Sequence, residues 1–270
     1  MKDVLFVLGA DDPEMREIER ILNNAALPYV YAKAEGRRCH PGNAYEARNQ
    51  LSSAADVVFV ECKVVGVTPV KTIDHHNEGD PGYGLGPTHY LKASSLGQLI
   101  GFLQELGHKI TITQDMRVLA AMDHCRQAAI LGKCPGVSAK EVISRRVTEI
   151  AAAADKEVRE VQSLIDSYRG ILAKQENQPF GDSTVIDLTE AYLGEGYSLK
   201  LLSAQTALDI AGVAALLRHA DKPGGPEKIT LSGHVSPKMV QHFLKVYAPE
   251  KGLKKTYGVP ARGYAGGYLS

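Results

Sequence analysis

The spacing of apolar runs is the tightest constraint on this chain. Val4–Leu8, Tyr29–Ala32, Val57–Val60 and Val70–Ile73 are short, nearly continuous apolar stretches rich in β-branched and aromatic residues. Glu14–Asn24, Ala44–Ala54 and Ser94–Leu106 fall between or after them and read as helices. Strands without polar alternation are buried on both faces, and helical segments between them imply βαβ crossovers. The expected fold is α/β, with a doubly wound, mostly parallel sheet in the first half. Reactive groups in such sheets collect at the carboxyl ends of the strands. The polar residues found there are Asp11 and Asp12 after the first run, Glu61 after VVFV, and Asp74-His75-His76 after VKTI.

From Ser138 to Lys174 there is no Pro and only Gly170, and apolar residues recur in threes and fours from Ile143 to Leu172. This predicts one helix, which over thirty residues would span about 45 Å. It either joins two lobes or runs through the core of one. The division adopted is 1–137 for the sheet domain, 138–177 for a long connecting helix and 178–270 for a smaller α/β C-terminal lobe. Gln175–Asp182 reads as a loop. Thr184–Leu188, Val213–Leu217 and Lys228–Ser232 read as strands, and Ser203–Ala211 and Ser236–Val246 as helices, the second opened by a Ser-Pro cap.

Composition narrows the function classes. Hydrophobic residues make up 44% and charged residues 23%, as in an ordinary soluble domain. The 31 basic and 31 acidic residues cancel. Sequence-blind duplex binders carry a basic excess, so long duplex nucleic acid is disfavoured, while a small anionic substrate or short single strand stays open. Cys39, Cys62, Cys125 and Cys134 form no CxxC pair, which argues against a zinc ribbon and for a reducing cytoplasm. No apolar run has the length of a membrane span. VLFVLGA is followed at once by Asp11-Asp12, so it reads as a strand and not a signal segment.

The segment VKTIDHHNEGD then poses the chemical question. A strand ending in one carboxylate and two imidazoles offers hard oxygen and nitrogen donors together, the set wanted by divalent ions that activate water for phosphoryl transfer. Adjacent side chains of extended backbone point opposite ways, so Asp74 and His76 are expected to face one way and His75 the other unless the chain turns.

With IDHHN in place, the sequence resembles the DHH phosphoesterase superfamily: RecJ-type exonucleases, oligoribonucleases, cyclic-dinucleotide phosphodiesterases and family II inorganic pyrophosphatases. The likeness covers the layout of the whole chain. In the family's first motif, GADDPEMRE puts Ala10 where the family has histidine, and Glu14 and Arg16 where it has two aspartates. Glu61 stands at the second motif, Asp74-His75-His76 is the third intact, and Asp123 in LAAMDHC is the fourth. The resemblance implies metal ligands Glu14, Glu61, His75 and Asp123, with Asp74 and His76 behind them. Asp74, His75, His76 and Asp123 are the expected catalytic group, and His124 is a further candidate ligand or proton donor. A guanidinium cannot ligate a cation. Arg16 therefore lowers the expected load from two Mn2+ or Mg2+ ions to one, or to none if it pairs with the carboxylates.

The family's C-terminal lobe binds the substrate through a Gly-rich motif. ARGYAGGY is its counterpart here, with Arg262, Gly263, Gly266 and Gly267 as substrate contacts, Tyr264 placed to stack on a base, and His234 in SGHVSP replacing the family histidine. The plainer alternative is an edge strand whose glycines serve packing. Arg37, Arg38 and His40, and the helix start at SSLGQ, are further candidate anion contacts. The expected function is metal-dependent hydrolysis of a small nucleotide or short oligonucleotide. The alternative is a nucleotide-binding or interaction protein that keeps the fold without the chemistry.

Overall fold

The computed structural model describes residues 4–51, 56–260 and 263–269. The chain forms two units, Met1–Ser138 and Ala139–Ser270. The α/β expectation holds: the first unit is built on a parallel sheet, the second on a larger mixed one.

In the first unit the elements run β1 (Val4–Leu8), α1 (Pro13–Asn24), β2 (Tyr29–Tyr31), a two-residue hairpin β3 (Lys33–Ala34) and β4 (Arg37–Arg38), β5 (Asp56–Val60), β6 (Lys71–Ile73), then α2 (Tyr90–Ala93), α3 (Ser95–Glu105) and α4 (Gln114–Ile130). The sheet order is β2-β1-β5-β6, with every pair parallel. Leu8 lies opposite Val60, and Val60 opposite Ile73. Gly9, Glu61 and Asp74 therefore leave the sheet at one level. A Cβ on Gly9 would sit 2.3 Å from Glu61 O, so only glycine fits there.

Helix α1 starts on Asp12, whose carboxylate accepts from Met15 N at 2.7 Å, with Pro13 in the first turn. Glu14, Ile18, Ile21 and Leu22 share its buried face by helical spacing. The sequence therefore places one carboxylate on an otherwise apolar stripe. The expected helix over Ala44–Ala54 does not form within its described part, 44–51, where Ala44–Glu46 is a single 3-10 turn; 52–54 lie outside the described residues. Asn49 explains the difference. Its side chain accepts from Lys33 N and donates to Tyr31 O, and Ala47 N bonds Lys63 O, so the segment is spent on edge pairing. It packs Ala44 and Ala47 against Val7, Val57 and Phe59 on one face of the sheet.

The second unit begins with α5 (Ala139–Ala154) and α6 (Val158–Leu172), where one continuous helix was expected. The break is at Asp155, in the left-handed region at φ 51°, and Lys156 N closes the end of α5 on Ala151 O. Val158 keeps the helical spacing across the break yet is exposed. Val147, Ile150 and Ala151 join Val161, Ile165 and Leu172 in one core. The two helices thus contribute to the second unit's core. Then follow β7 (Gln178–Phe180), β8 (Ser183–Glu195), α7 (Leu199–Ala211), β9 (Ala214–Ala220), β10 (Glu227–Gly233), α8 (Pro237–His242), α9 (Ala248–Glu250), β11 (Lys254–Val259) and β12 (Tyr264–Tyr268). The expected loop at Gln175–Asp182 contains β7, turned back onto β8 through Gly181 at φ 62°.

The sheet order is β11-β12-β10-β9-β8-β7, and only β8 with β9 is parallel. Alternation splits β9 between two cores. Ala215 and Leu217 pack with the helices α5, α6 and α7, while Ala214 and Leu216 pack with Met239, Val240 and Phe243. Among the described residues, no helix is long and apolar enough to cross a membrane.

Candidate metal centre

Asp74 is fully buried just past β6 and organises the segment after it. Its Oδ1 accepts from His75 N at 2.7 Å, His76 N at 3.0 Å and His76 Nδ1 at 2.9 Å, and its Oδ2 accepts from Tyr45 OH at 3.0 Å. Gln98 clamps its backbone, accepting from Asp74 N at 3.2 Å and donating to Asp74 O at 2.9 Å. These bonds turn the chain within one residue. The two imidazoles consequently stack, with centroids 4.3 Å apart and planes 23° apart, instead of pointing to opposite sides as an extended strand would require. Burial pushes the Asp74 carboxyl up, but hydrogen bonds and charge from His76 and the Tyr45 hydroxyl outweigh it and hold the group below its usual range.

Four donors converge beside this turn. Single ligand atoms of Glu14, Glu61, His75 and Asp123 all lie within 4.8 Å of one another, and Glu61, His75 and His76 form a second overlapping set. His75 Nε2 is 3.1 Å from Asp123 Oδ2, and its Nδ1 is 4.0 Å from Glu61 Oε1. Glu61 has φ 50°, an uncommon conformation for a residue with a side chain. Glu14 Oε1 accepts from Leu96 N at 3.1 Å, at the start of α3. Glu14 Oε2 and Glu61 Oε1 are buried with no hydrogen-bond partner among the described residues. A buried polar atom left unpaired costs about 1–3 kcal/mol, and more when charged.

The electrostatics follow from three carboxylates in one pocket. Burial, then the charges of Asp123 and Glu61, push Glu14 well above the ordinary carboxylate range. Burial and Asp123 lift Glu61 to about 8, with His76 opposing. Burial alone would depress His76. The hydrogen bond from Asp74 and the charges of Glu61, Asp74 and Asp123 win, and raise it to about 9. Without a cation the protein must protonate its own carboxylates; a divalent ion removes that need and gives both orphan oxygens a partner. The residues therefore fit a hard cation held by three oxygens and one imidazole.

Arg16 does not enter the cluster. It forms a two-pronged, solvent-exposed pair with Asp11 at 2.8 and 3.2 Å, so the expected alternative of an internal guanidinium counter-ion is not realised. Arg38 is also committed elsewhere, to Gly9 O at 3.1 Å and Glu19 at 2.9 Å. The start of α3 spends its amides on Glu14 and on Ser94 Oγ, which accepts from Gly97 N at 3.1 Å. Two candidate anion contacts are thereby occupied by the protein itself. His124 Nε2 meets Leu85 O at 2.8 Å, its buried Nδ1 has no hydrogen-bond partner among the described residues, and burial lowers its pKa. Tyr45 and Gln98 were not expected from sequence. Only the SSLGQ helix start hinted at Gln98, and nothing marked Tyr45.

The second unit places its candidates differently from expectation. Arg262 lies outside the described residues. Gly266 and Gly267 do not form an open cradle: a Cβ on Gly266 would meet Tyr257 OH at 2.5 Å, and one on Gly267 would meet Leu253 Cβ at 2.9 Å. They are β12 glycines covered by the side chains of Tyr257 and Leu253. Gly263 has φ 64° and lies against Val235 O. His234 is exposed at the end of β10, with its backbone N bonded to Val213 O at 2.9 Å.

Fold and site together define an α/β chain with a carboxylate–imidazole cluster where a parallel sheet ends. No known family description matches it, and no curated protein does. Among solved structures it is similar to the pGpG-specific phosphodiesterase PggH from Vibrio cholerae, at 10% identity and a TM-score of 0.41, over 100% of this chain and 94% of that one.

Proposed function

We propose that the first unit is the catalytic domain of a metal-dependent phosphoesterase acting on a small nucleotide or short oligonucleotide, with Mn2+ or Mg2+ held by Glu14, Glu61, His75 and Asp123. The observation that carries this reading is the convergence of those four donors from four elements, α1, the ends of β5 and β6, and α4, with two buried carboxylate oxygens lacking a hydrogen-bond partner among the described residues. The intact Asp74-His75-His76 motif supplies the reaction class. One ion fits the four ligands, and Ala10 stands where the first motif would supply a further imidazole.

A bound divalent ion would lower the pKa of water and shield phosphoryl charge. The chain's own residues do the rest. Asp74 fixes the turn, and its hydrogen bond with His76 Nδ1 favours the protonated form of that imidazole. His76, with its side chain 26% exposed, is the group of the cluster best placed to meet a phosphoryl oxygen. Asp123, 3.1 Å from Nε2, and Ser95 Oγ, 3.5 Å from Nδ1, set the direction of the His75 ring. His234 and Arg262 remain candidate substrate contacts of the second unit.

The test is turnover of mononucleotides, dinucleotides and short oligonucleotides with Mn2+, in wild type, Asp74→Ala and Asp123→Asn. Both variants should lose about 100-fold or more, since even groups behind the ligands cost 10–100-fold. Equal turnover in all three removes the assignment. Metal-free protein that binds nucleotide in calorimetry without turning it over would support the non-catalytic alternative.

A further inference from the structure

Helix α4 contains one residue outside helical backbone space, Cys125, at φ −154° and ψ 52°. Asp123 stands two positions before it. The Cys125 thiol lies 3.3 Å from Cys134 Sγ, in the segment that follows α4. The metal reading uses neither sulfur. Closing such a pair to a disulfide needs an S–S distance of about 2.05 Å, so the atoms need approach by little more than an ångström. Cys125 is part-exposed and Cys134 buried, which lets an oxidant reach the pair from one side. Cys39 and Cys62 are buried and far from this arrangement in sequence, and Cys62 Sγ donates to Val7 O at 3.2 Å.

We propose that Cys125 and Cys134 form a reversible dithiol–disulfide switch that regulates the cation site through Asp123. Its regulatory consequence rests on the metal reading of this site; the sulfur–sulfur bond does not. The oxidant is a low-molecular-weight disulfide such as glutathione disulfide. One thiol of the pair, as thiolate, attacks one of its sulfurs and expels one glutathione thiolate. The other then attacks the protein sulfur of the mixed disulfide and expels the second. Two protein thiols are oxidised, one disulfide is reduced to two thiols, and the two protons leave with the glutathione. Bond formation draws Cys125 toward Cys134, together with the irregular backbone just after Asp123. Metal–ligand distances tolerate only about 0.2 Å, so a displacement of the Asp123 carboxylate on this scale weakens the site.

The experiment uses the full chain, metal-free, in glutathione buffers of rising oxidised fraction. The expected result is loss of two hydrogens by mass and a peptide cross-link between Cys125 and Cys134, with Cys39 and Cys62 still open to alkylation after unfolding. The ring resonances of His75 and His124 should shift between the two forms. Mn2+ affinity, read by electron paramagnetic resonance, should fall about tenfold or more on oxidation and return with a thiol reductant. Cys134→Ser and Cys134→Ala should show none of these changes. Absence of the cross-link, unmoved histidine resonances, or equal Mn2+ affinity in both forms overturns the switch. Failure of the reduced protein to take up Mn2+ instead strikes the metal reading, and the histidine resonances still decide whether the bond reaches Asp123.

Discussion

Each unit holds a polar cluster, buried in the first and partly exposed in the second, and the two are balanced in opposite ways. In the second unit, Lys228 pairs with Asp221, Tyr268 OH donates to the same carboxylate, and His219 spends Nε2 on Thr230 at 3.2 Å and Nδ1 on Ala220 O at 3.3 Å. Burial opposes both charges of the pair, yet the partner's charge and hydrogen bond prevail: Asp221 is lowered and Lys228 raised. That cluster is complete as protein alone. In the first unit like charges face one another, Glu14 and Glu61 are pushed up, and two of their carboxylate oxygens have no hydrogen-bond partner among the described residues. The unpartnered buried side-chain atoms of the second unit include the neutral hydroxyls of Ser203 and Tyr247. A folded chain tolerates a lone hydroxyl. An uncompensated carboxylate cluster costs far more and is kept where something else completes it.

The sharpest way to separate the two regions is a glycine in each. A Cβ on Gly82 would lie 2.0 Å from Ala93 O and 2.7 Å from His75 Cβ, so backbone must move. Gly82→Ala should cost about 3 kcal/mol, the upper end for overpacking, and should displace His75. Gly266→Ala meets the far end of the Tyr257 side chain, which can swing, and should cost under about 1 kcal/mol. Urea unfolding of both variants checks the contrast; equal losses would break it.

A cation should act on one cluster only. At a hundred times its dissociation constant, Mn2+ should stabilise the protein by about 2.7 kcal/mol. Hydrogen exchange should slow at the amides of His75, His76 and Leu96 and stay unchanged at those of β9 and β10. Chelation should reverse it, and Asp123→Asn should abolish it. Equal protection in both units would remove the distinction drawn above.

The same contrast bears on what the sequence reveals. Strand ends were legible because a both-faces-buried strand must stop where polar residues begin, which put Glu61 and Asp74 at one edge. Glu14 was legible only through the resemblance of GADDPEMRE to the first motif; its place on the buried face of α1 came from the structure. The break at Asp155 was hidden, since a helix folded back on itself can keep threes and fours across the turn. Helix α4 was not read from the sequence, and Asp123 entered only through the resemblance of LAAMDHC to the fourth motif. Tyr45 and Gln98 belong to distant segments, and only the folded chain brings them to Asp74. The glycines of β12 showed how a motif can be present while its space is filled by Tyr257, a residue that no spacing rule connects to it.

The smallest expected effect probes the complete cluster. Burial depresses His219 below the ordinary histidine range, aided by Lys228 and opposed by the Ala220 carbonyl and Asp221. In the unfolded chain the group titrates near pH 6.5, so between its folded pKa and that value the unfolded state binds more protons. Stability from this residue is therefore present above about pH 6.5 and lost as pH falls through the folded value. Unfolding of wild type against His219→Gln, followed by exchange at β9 and β10, should show the wild type losing stability on acidification more steeply than the variant. The glutamine amide can still meet Thr230, so the variant should stay folded at neutral pH. Parallel pH profiles would mean that His219 is not held neutral by its surroundings, and the second cluster would lose its standing as the self-sufficient one.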